Sequence, residues 1–116
     1  MRREELYLRD IVAAAESIAQ FIAGLDSAAF QQSELVRSAV AYQLSIIGEA
    51  AVHVPEQVRS RHPGVPWPKI VAFRNIIVHA YFGIDWDEVW RAATRECPVL
   101  KAQIESVLEA EFGTDT

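Results

Sequence analysis

Apolar side chains recur along this chain at intervals of three and four, the period of one helix face. Leu8, Ile11, Val12, Ala15, Ile18, Ala19, Ile22 and Leu25 follow that spacing and predict a first helix over residues 3–25, stopped at Gly24 and the Asp26-Ser27 pair. Residues 26–32 read as a turn in which Phe30 folds back onto the bundle. A second helix over 33–53 opens on Ser33 as N-cap, with Glu34 in the first turn where the helix dipole favours an acid. Val36, Ala39, Val40, Gln43, Ile47 and Ala50 form its stripe. Leu35, Tyr42 and Ile46 widen that stripe, so the helix is expected to be largely buried, with Gly48 marking a close helix crossing. Glu56 to Arg61 reads as a short helix, and His62-Pro63-Gly64-Val65-Pro66 as an exposed loop of breakers. Pro68 then suits the first turn of a helix that ends at Phe82-Gly83, with Gly83 as a left-handed C-cap. Asp85-Trp86-Asp87-Glu88 has the pattern of a capping box, and Val89, Trp90 and Ala93 supply the buried side of the helix it starts. Pro98 either kinks that helix or begins another. Val99, Leu100, Ile104, Val107 and Leu108 continue the stripe, and 109–116 reads as a frayed tail. No strand pattern competes. The expected fold is all-α, an antiparallel bundle of four or five helices in one domain over 1–116.

Composition agrees with one core. The chain has 116 residues, 51% of them hydrophobic, which suits a single domain. It holds no uncharged apolar run of about 18 residues, the length that marks a membrane span. Its start, Met1-Arg2-Arg3-Glu4-Glu5, leads into an amphipathic segment and not a signal peptide. The single cysteine, Cys97, precludes an internal disulfide and a Cys-rich zinc site. His53 and His62 have no matching ligand spacing, and no phosphate loop, dinucleotide fingerprint or magnesium-type carboxylate cluster is present. The expectation is a cytoplasmic protein with neither metal nor cofactor. The net charge of −5 argues against broad affinity for nucleic acid. An RNA-directed function would need local positive charge, from Arg74 with Arg37, Arg59, Arg61 or Lys69, or a basic groove completed by a partner or a dimer.

Candidate chemistry concentrates in Arg74-Asn75-Ile76-Ile77-Val78-His79-Ala80-Tyr81. At about 100° per residue, Arg74, Asn75, His79 and Tyr81 share an arc of roughly 160°, opposite Ile70, Phe73, Ile76, Ile77 and Ala80. Arginine grips phosphate through a bidentate fork. Histidine transfers protons near neutrality. Together they suit phosphodiester cleavage without a metal, the 2′-hydroxyl attacking its own phosphate while Arg74 holds the developing charge. Spacing alone leaves a second reading open, in which His79 caps helix carbonyls and Arg74 makes a surface ion pair. Glu49 also has two readings: a solvated edge residue, or an ion-pair partner that orients Arg74.

The motif Arg74-x4-His79-x-Tyr81 resembles the Arg-x4-His-x-Tyr motif of the HepT toxins, within the HEPN superfamily. Ala39-Val40 with Ile46-Ile47-Gly48-Glu49-Ala50, then Pro66-Trp67 with Ile70 and Arg74-Asn75, resemble that family's preceding blocks. Tyr81-Phe82-Gly83-Ile84-Asp85 and Val89-Trp90 resemble the following ones. The ordered blocks extend over most of the chain. The resemblance implies a helical bundle that dimerises and builds a composite ribonuclease site at its interface. It makes Arg74 and His79 catalytic and Asn75 supporting, gives 2′,3′-cyclic phosphate products, and requires no metal. It further implies a toxin–antitoxin system in which an MntA-like nucleotidyltransferase antitoxin transfers AMP to Tyr81. That adduct would occupy Arg74 and repel RNA. The competing expectation is a non-catalytic HEPN binding module that partners a minimal nucleotidyltransferase, which the acidic charge favours.

Overall fold

The computed structural model describes residues 3–78 and 83–113, with no account of the side chains of Ile77 and Val78. Every regular element among the described residues is helical. The order is α1 (Arg3–Ile22), α2 (Ser27–Gln32), α3 (Glu34–Val52), α4 (Glu56–Arg61), α5 (Trp67–Ala72), α6 (Asn75–Val78) and α7 (Trp86–Arg91), then a π-helical turn (Ala92–Glu96) and α8 (Cys97–Phe112). The all-α bundle expected from the periodicity is the observed fold.

Three long helices frame it. α1 packs along both α3 and α8, and α5 and α6 lie against α3. Leu8, Ile11 and Ile18 of α1, Val40, Leu44 and Ile47 of α3, and Ile104 of α8 are fully enclosed in one cluster. Burial of each such side chain contributes ~1.5–3 kcal/mol. Local signals set most helix starts. Ser33 Oγ accepts from Val36 N–H at 3.2 Å, and Asp85 Oδ1 accepts from Asp87 and Glu88 N–H at 3.1 and 3.2 Å. Pro68 sits in the first turn of α5, where its missing N–H costs nothing.

Several expectations are corrected. The predicted turn over 26–32 is the helix α2, capped by Asp26 through Ala29 N–H at 2.8 Å. Phe30 is fully buried against Trp86 and Trp90, which explains why so short a helix persists. α3 is not largely buried. Leu35 and Tyr42 are 81% and 56% exposed, because the face turned to the core is Val40, Ala41, Leu44, Ile47, Gly48 and Ala51. α3 also has the length and mean hydropathy of a membrane span, yet that face lies in the core and Glu34, Arg37 and Glu49 interrupt it. Val99 leaves the α8 stripe and is exposed. Of the two readings of Pro98 the second holds: it sits in the first turn of α8, which begins at Cys97. A π-turn over Ala92–Glu96 joins α7 to it, with Cys97 N–H bonded to Ala92 O, five residues back. The segment expected to fray is helical as far as Phe112.

One polar cluster holds the far end of α8. Glu111 accepts from both Arg61 Nε, at 2.9 Å, and Arg61 Nη2, and its carboxylate lies 2.9 Å from His62 Nε2. Trp67 Nε1 donates to His62 O at 3.0 Å and Gln103 Nε2 to Gly64 O at 3.1 Å. The breaker-rich loop is therefore tied down on two sides immediately before α5. His62 is half-buried there rather than free at the surface.

Candidate active site

The segment carrying the polar motif is not one continuous helix. α5 ends at Ala72, Phe73 and Arg74 form a turn, and α6 starts at Asn75. Three bonds in this stretch reach back only three residues: Phe73 N–H to Ile70 O, Arg74 N–H to Val71 O, and Ile76 N–H to Phe73 O, at 3.1–3.2 Å. Such bonds tighten the backbone relative to an α-helix. The cause lies across the bundle. A Cβ placed on Gly48 of α3 would come within 2.9 Å of both Cα and Cβ of Arg74 and closer still to its amide nitrogen. The absent side chain lets the Arg74 backbone rest directly on α3. Gly48 does mark the close approach the sequence predicts, and its partner is Arg74 itself.

This contact decides how the motif is displayed. Arg74 and Asn75 are both exposed, while Ile70 is buried and Phe73 and Ile76 are packed against the core. The inward stripe predicted for this segment therefore holds for those three residues. His79 and Tyr81 lie outside the described residues, so their predicted positions on the same arc are expectations only. Gly83, just beyond, has the positive φ of 92° expected of a C-cap.

Arg74 makes no ion pair among the described residues. Glu49, one position along from its seat, is exposed and faces His53 at 3.5 Å rather than Arg74. His53 also stacks on Tyr7, with ring centroids 5.0 Å apart. The other cations named from the sequence are engaged. Arg61 is committed to Glu111, Lys69 Nζ is 2.7 Å from Glu96, and Arg59 is 3.7 Å from Glu56. Arg37 lies over the Trp86 ring at 5.0 Å, a cation–π contact. The four cations named beside Arg74 are thus engaged, while Arg74 is exposed with no ion pair among the described residues, as are Arg3, Arg91 and Arg95. The hydrogen bonds from Arg61, then the one from His62, hold the Glu111 carboxyl well below the usual range, at about 2. The bond to Glu111 likewise raises Arg61. Burial, helped by the Glu96 charge, pushes the Cys97 thiol up to about 12.

Asn75 lines a groove between the α5–α6 segment and α7 with the π-turn, about 540 Å³ in volume. Its walls include Ala72, Phe73, Ile76, Ile84 and Val89. Sequence reasoning did not find it, because its two sides are separated in the chain and none of its apolar residues breaks the helical period. No group of three or more His, Cys, Asp or Glu side chains among the described residues is placed to hold a metal ion.

A helical bundle that seats an exposed Arg-Asn pair on a glycine of its central helix is the class of protein these features define. Residues 11–107 match the family described as "Ribonuclease HepT-like", and the chain belongs to that family. It is 35% identical over 106 residues to "Putative RNase MJ1380" of Methanocaldococcus jannaschii, covering 91% of this chain and 97% of that protein. It is 33% identical over 106 residues to "Probable ribonuclease HepT" of Thermococcus cleftensis, covering 91% and 96%. It is 30% identical over 111 residues to "Putative RNase TTE0752" of Caldanaerobacter subterraneus subsp. tengcongensis, covering 96% and 99%. No solved structure matches the chain.

Proposed function

We propose that this protein is an endoribonuclease that cleaves RNA without a metal and serves as the toxin of a HepT/MntA-type pair. The observation that carries the reading is Arg74. It is exposed, has no acidic partner among the described residues, and is fixed at its backbone by Gly48. An arginine held at the backbone and free at the guanidinium suits a phosphate that gains charge in the transition state. In this scheme His79 takes the proton of the 2′-hydroxyl. The 2′-oxygen bonds to the adjacent phosphorus, the 5′-oxygen leaves with a proton, and a 2′,3′-cyclic phosphate remains. Asn75 positions the site by hydrogen bonding.

One chain offers one motif histidine, whereas the reaction uses both a base and an acid. We therefore place two Arg74–His79 pairs across the interface of a homodimer. Leu35 and Tyr42 support this, since they are exposed apolar side chains two turns apart on α3. Tyr81 is the proposed acceptor of AMP from a nucleotidyltransferase antitoxin. The adduct would bring phosphate beside Arg74 and occupy the cation that RNA needs.

The test is incubation of the purified protein with total RNA in EDTA, alongside Arg74→Ala and His79→Ala. Cleavage by the parent alone, leaving cyclic-phosphate ends, is the expected result. Cleavage unchanged in both variants removes the site assignment. No cleavage by a parent that mass spectrometry shows to be free of AMP favours the binding-module reading, which the net charge of −5 also suits. Co-expression with the antitoxin should add one AMP to the parent and none to Tyr81→Phe.

A further inference from the structure

The groove beside Asn75 is lined by both chain neighbours of the exposed arginine, Phe73 and Asn75, and its chemistry differs from that of a phosphate site. Phe73, Ile76, Ile84 and Val89 give it apolar walls. The described charges on its margin are acidic in sum. Lys69 is paired with Glu96 at 2.7 Å, the Asp85 carboxylate caps α7, and Arg91 shares the margin with Glu88. Summed over Lys69 and Arg91 against Asp85, Glu88 and Glu96, the margin carries two positive and three negative charges. A phosphate is disfavoured there, while a neutral planar group is not. The volume, about 540 Å³, falls within the range of small-molecule sites. Asn75 adds one amide donor and one acceptor, the pair that reads the edge of a nucleobase.

We propose that this groove is a nucleobase subsite. Single-stranded RNA whose phosphate rests on Arg74 turns the adjoining base into the groove, with its edge on Asn75 and its face against the apolar walls. The inference deepens the ribonuclease reading and rests on it for the identity of the ligand. Arg74 and Asn75 are consecutive, with Cα atoms ~3.8 Å apart, so one nucleotide can span both. Unstacked bases of single-stranded RNA are the ones a protein can take up in this way. The site would make cleavage selective for the base next to the cut, while Arg74 alone grips any phosphate.

Ala72 is exposed on the groove wall, and Ala72→Trp would fill it. The first experiment titrates adenosine, guanosine, cytidine and uridine into the ¹⁵N-labelled protein. Saturable shifts at the Asn75 side-chain amide and at the Ile84 and Val89 backbone amides are expected for at least one nucleoside. Ala72→Trp should weaken that binding by roughly tenfold or more, the scale of one lost base contact. Inorganic phosphate should bind both proteins alike. Absence of nucleoside shifts in the parent, or shifts that Ala72→Trp leaves intact, overturns the proposal. Should Ala72→Trp fail to fold by circular dichroism, Ala72→Leu takes its place.

The second experiment maps cut sites on an RNA of random sequence. A base preference at one position beside the cut, flattened by the Ala72 variant while cutting continues, supports the subsite. An unchanged preference removes the subsite and leaves the nuclease standing. A parent that does not cut removes the nuclease, and the nucleoside titration still decides the groove.

Discussion

The two ends of α5 use similar residues to opposite ends. At its entrance Arg61 and His62 are both held by Glu111, while the Trp67 indole and the Gln103 amide tie the intervening loop. At its exit Arg74 and Asn75 are exposed and have no side-chain hydrogen bond among the described residues. One arginine is neutralised and the other is not. Residue type does not separate them. The difference is the carboxylate that α8 brings to the first and that no described element brings to the second. The entrance serves stability, and the exit leaves its charge available to a ligand.

Removing the exposed cation should have the largest effect. Arg74→Ala is expected to lower the cleavage rate by roughly 10²–10³-fold, the cost of losing one preorganised charge donor, with the melting temperature essentially unchanged. Equal activity in parent and variant would end the contrast, since the exit arginine would then be as inert as an ordinary surface residue. Next comes its seat. Alanine is normally preferred to glycine inside a helix by ~1 kcal/mol. At Gly48 the order should reverse, because the new methyl meets backbone atoms of Arg74 that cannot swing aside. Gly48→Ala should destabilise the fold by ~1–3 kcal/mol, as overpacking does, and should reduce cleavage as well. A variant more stable than the parent in urea titration would show that the contact does not constrain the turn.

The entrance is sharpened by pH. The folded Glu111 carboxyl titrates at about 2 against an ordinary value of 4.5. Its folded pKa is depressed, so its contribution is complete above about 4.5 and is lost as the pH falls toward 2. Glu111→Gln should therefore melt below the parent at neutral pH, by a few degrees, with the gap closing between those two values. A gap that stays constant across the acid range would mean that the carboxylate charge contributes nothing. Cleavage at neutral pH should be nearly unaffected. The smallest expected effect concerns Cys97, which is buried and has its thiol raised to about 12. A thiol reagent at pH 8 should leave the native protein unlabelled and react once it is unfolded in denaturant. Rapid labelling of the native state would place an opening motion in the packed α8 region.

Much of the bundle is legible along the chain because its determinants are local. Ser33 and Asp85 cap their own helices within three residues, and Pro68 suits the turn it occupies. Glu56–Arg61 appears with the predicted bounds. The errors have non-local causes. Residues 26–32 carry a weak helical signal, and α2 depends on Phe30 meeting Trp86 and Trp90, more than 50 positions later. Leu35 and Tyr42 fit an apolar period yet face outward, because a wide stripe does not say which part of it meets a neighbour. Residues 109–112, expected to fray, are helical, and Glu111 there finds Arg61 and His62 about 50 residues away.

The candidate site divides in the same way. Its residue types and their spacing, Arg74-Asn75-x3-His79-x-Tyr81, belong to the sequence by itself, and so does membership of the family, because both are properties of order along the chain. The sequence also determined the helical class, since period and capping act within a few residues. Only the tertiary structure decided that the motif segment breaks at Phe73–Arg74, that Gly48 forms the seat, that four other cations are engaged, and that a groove opens beside Asn75. Each of these depends on which backbone or charge another helix delivers to the same point in space. Local propensity carries no information about that encounter.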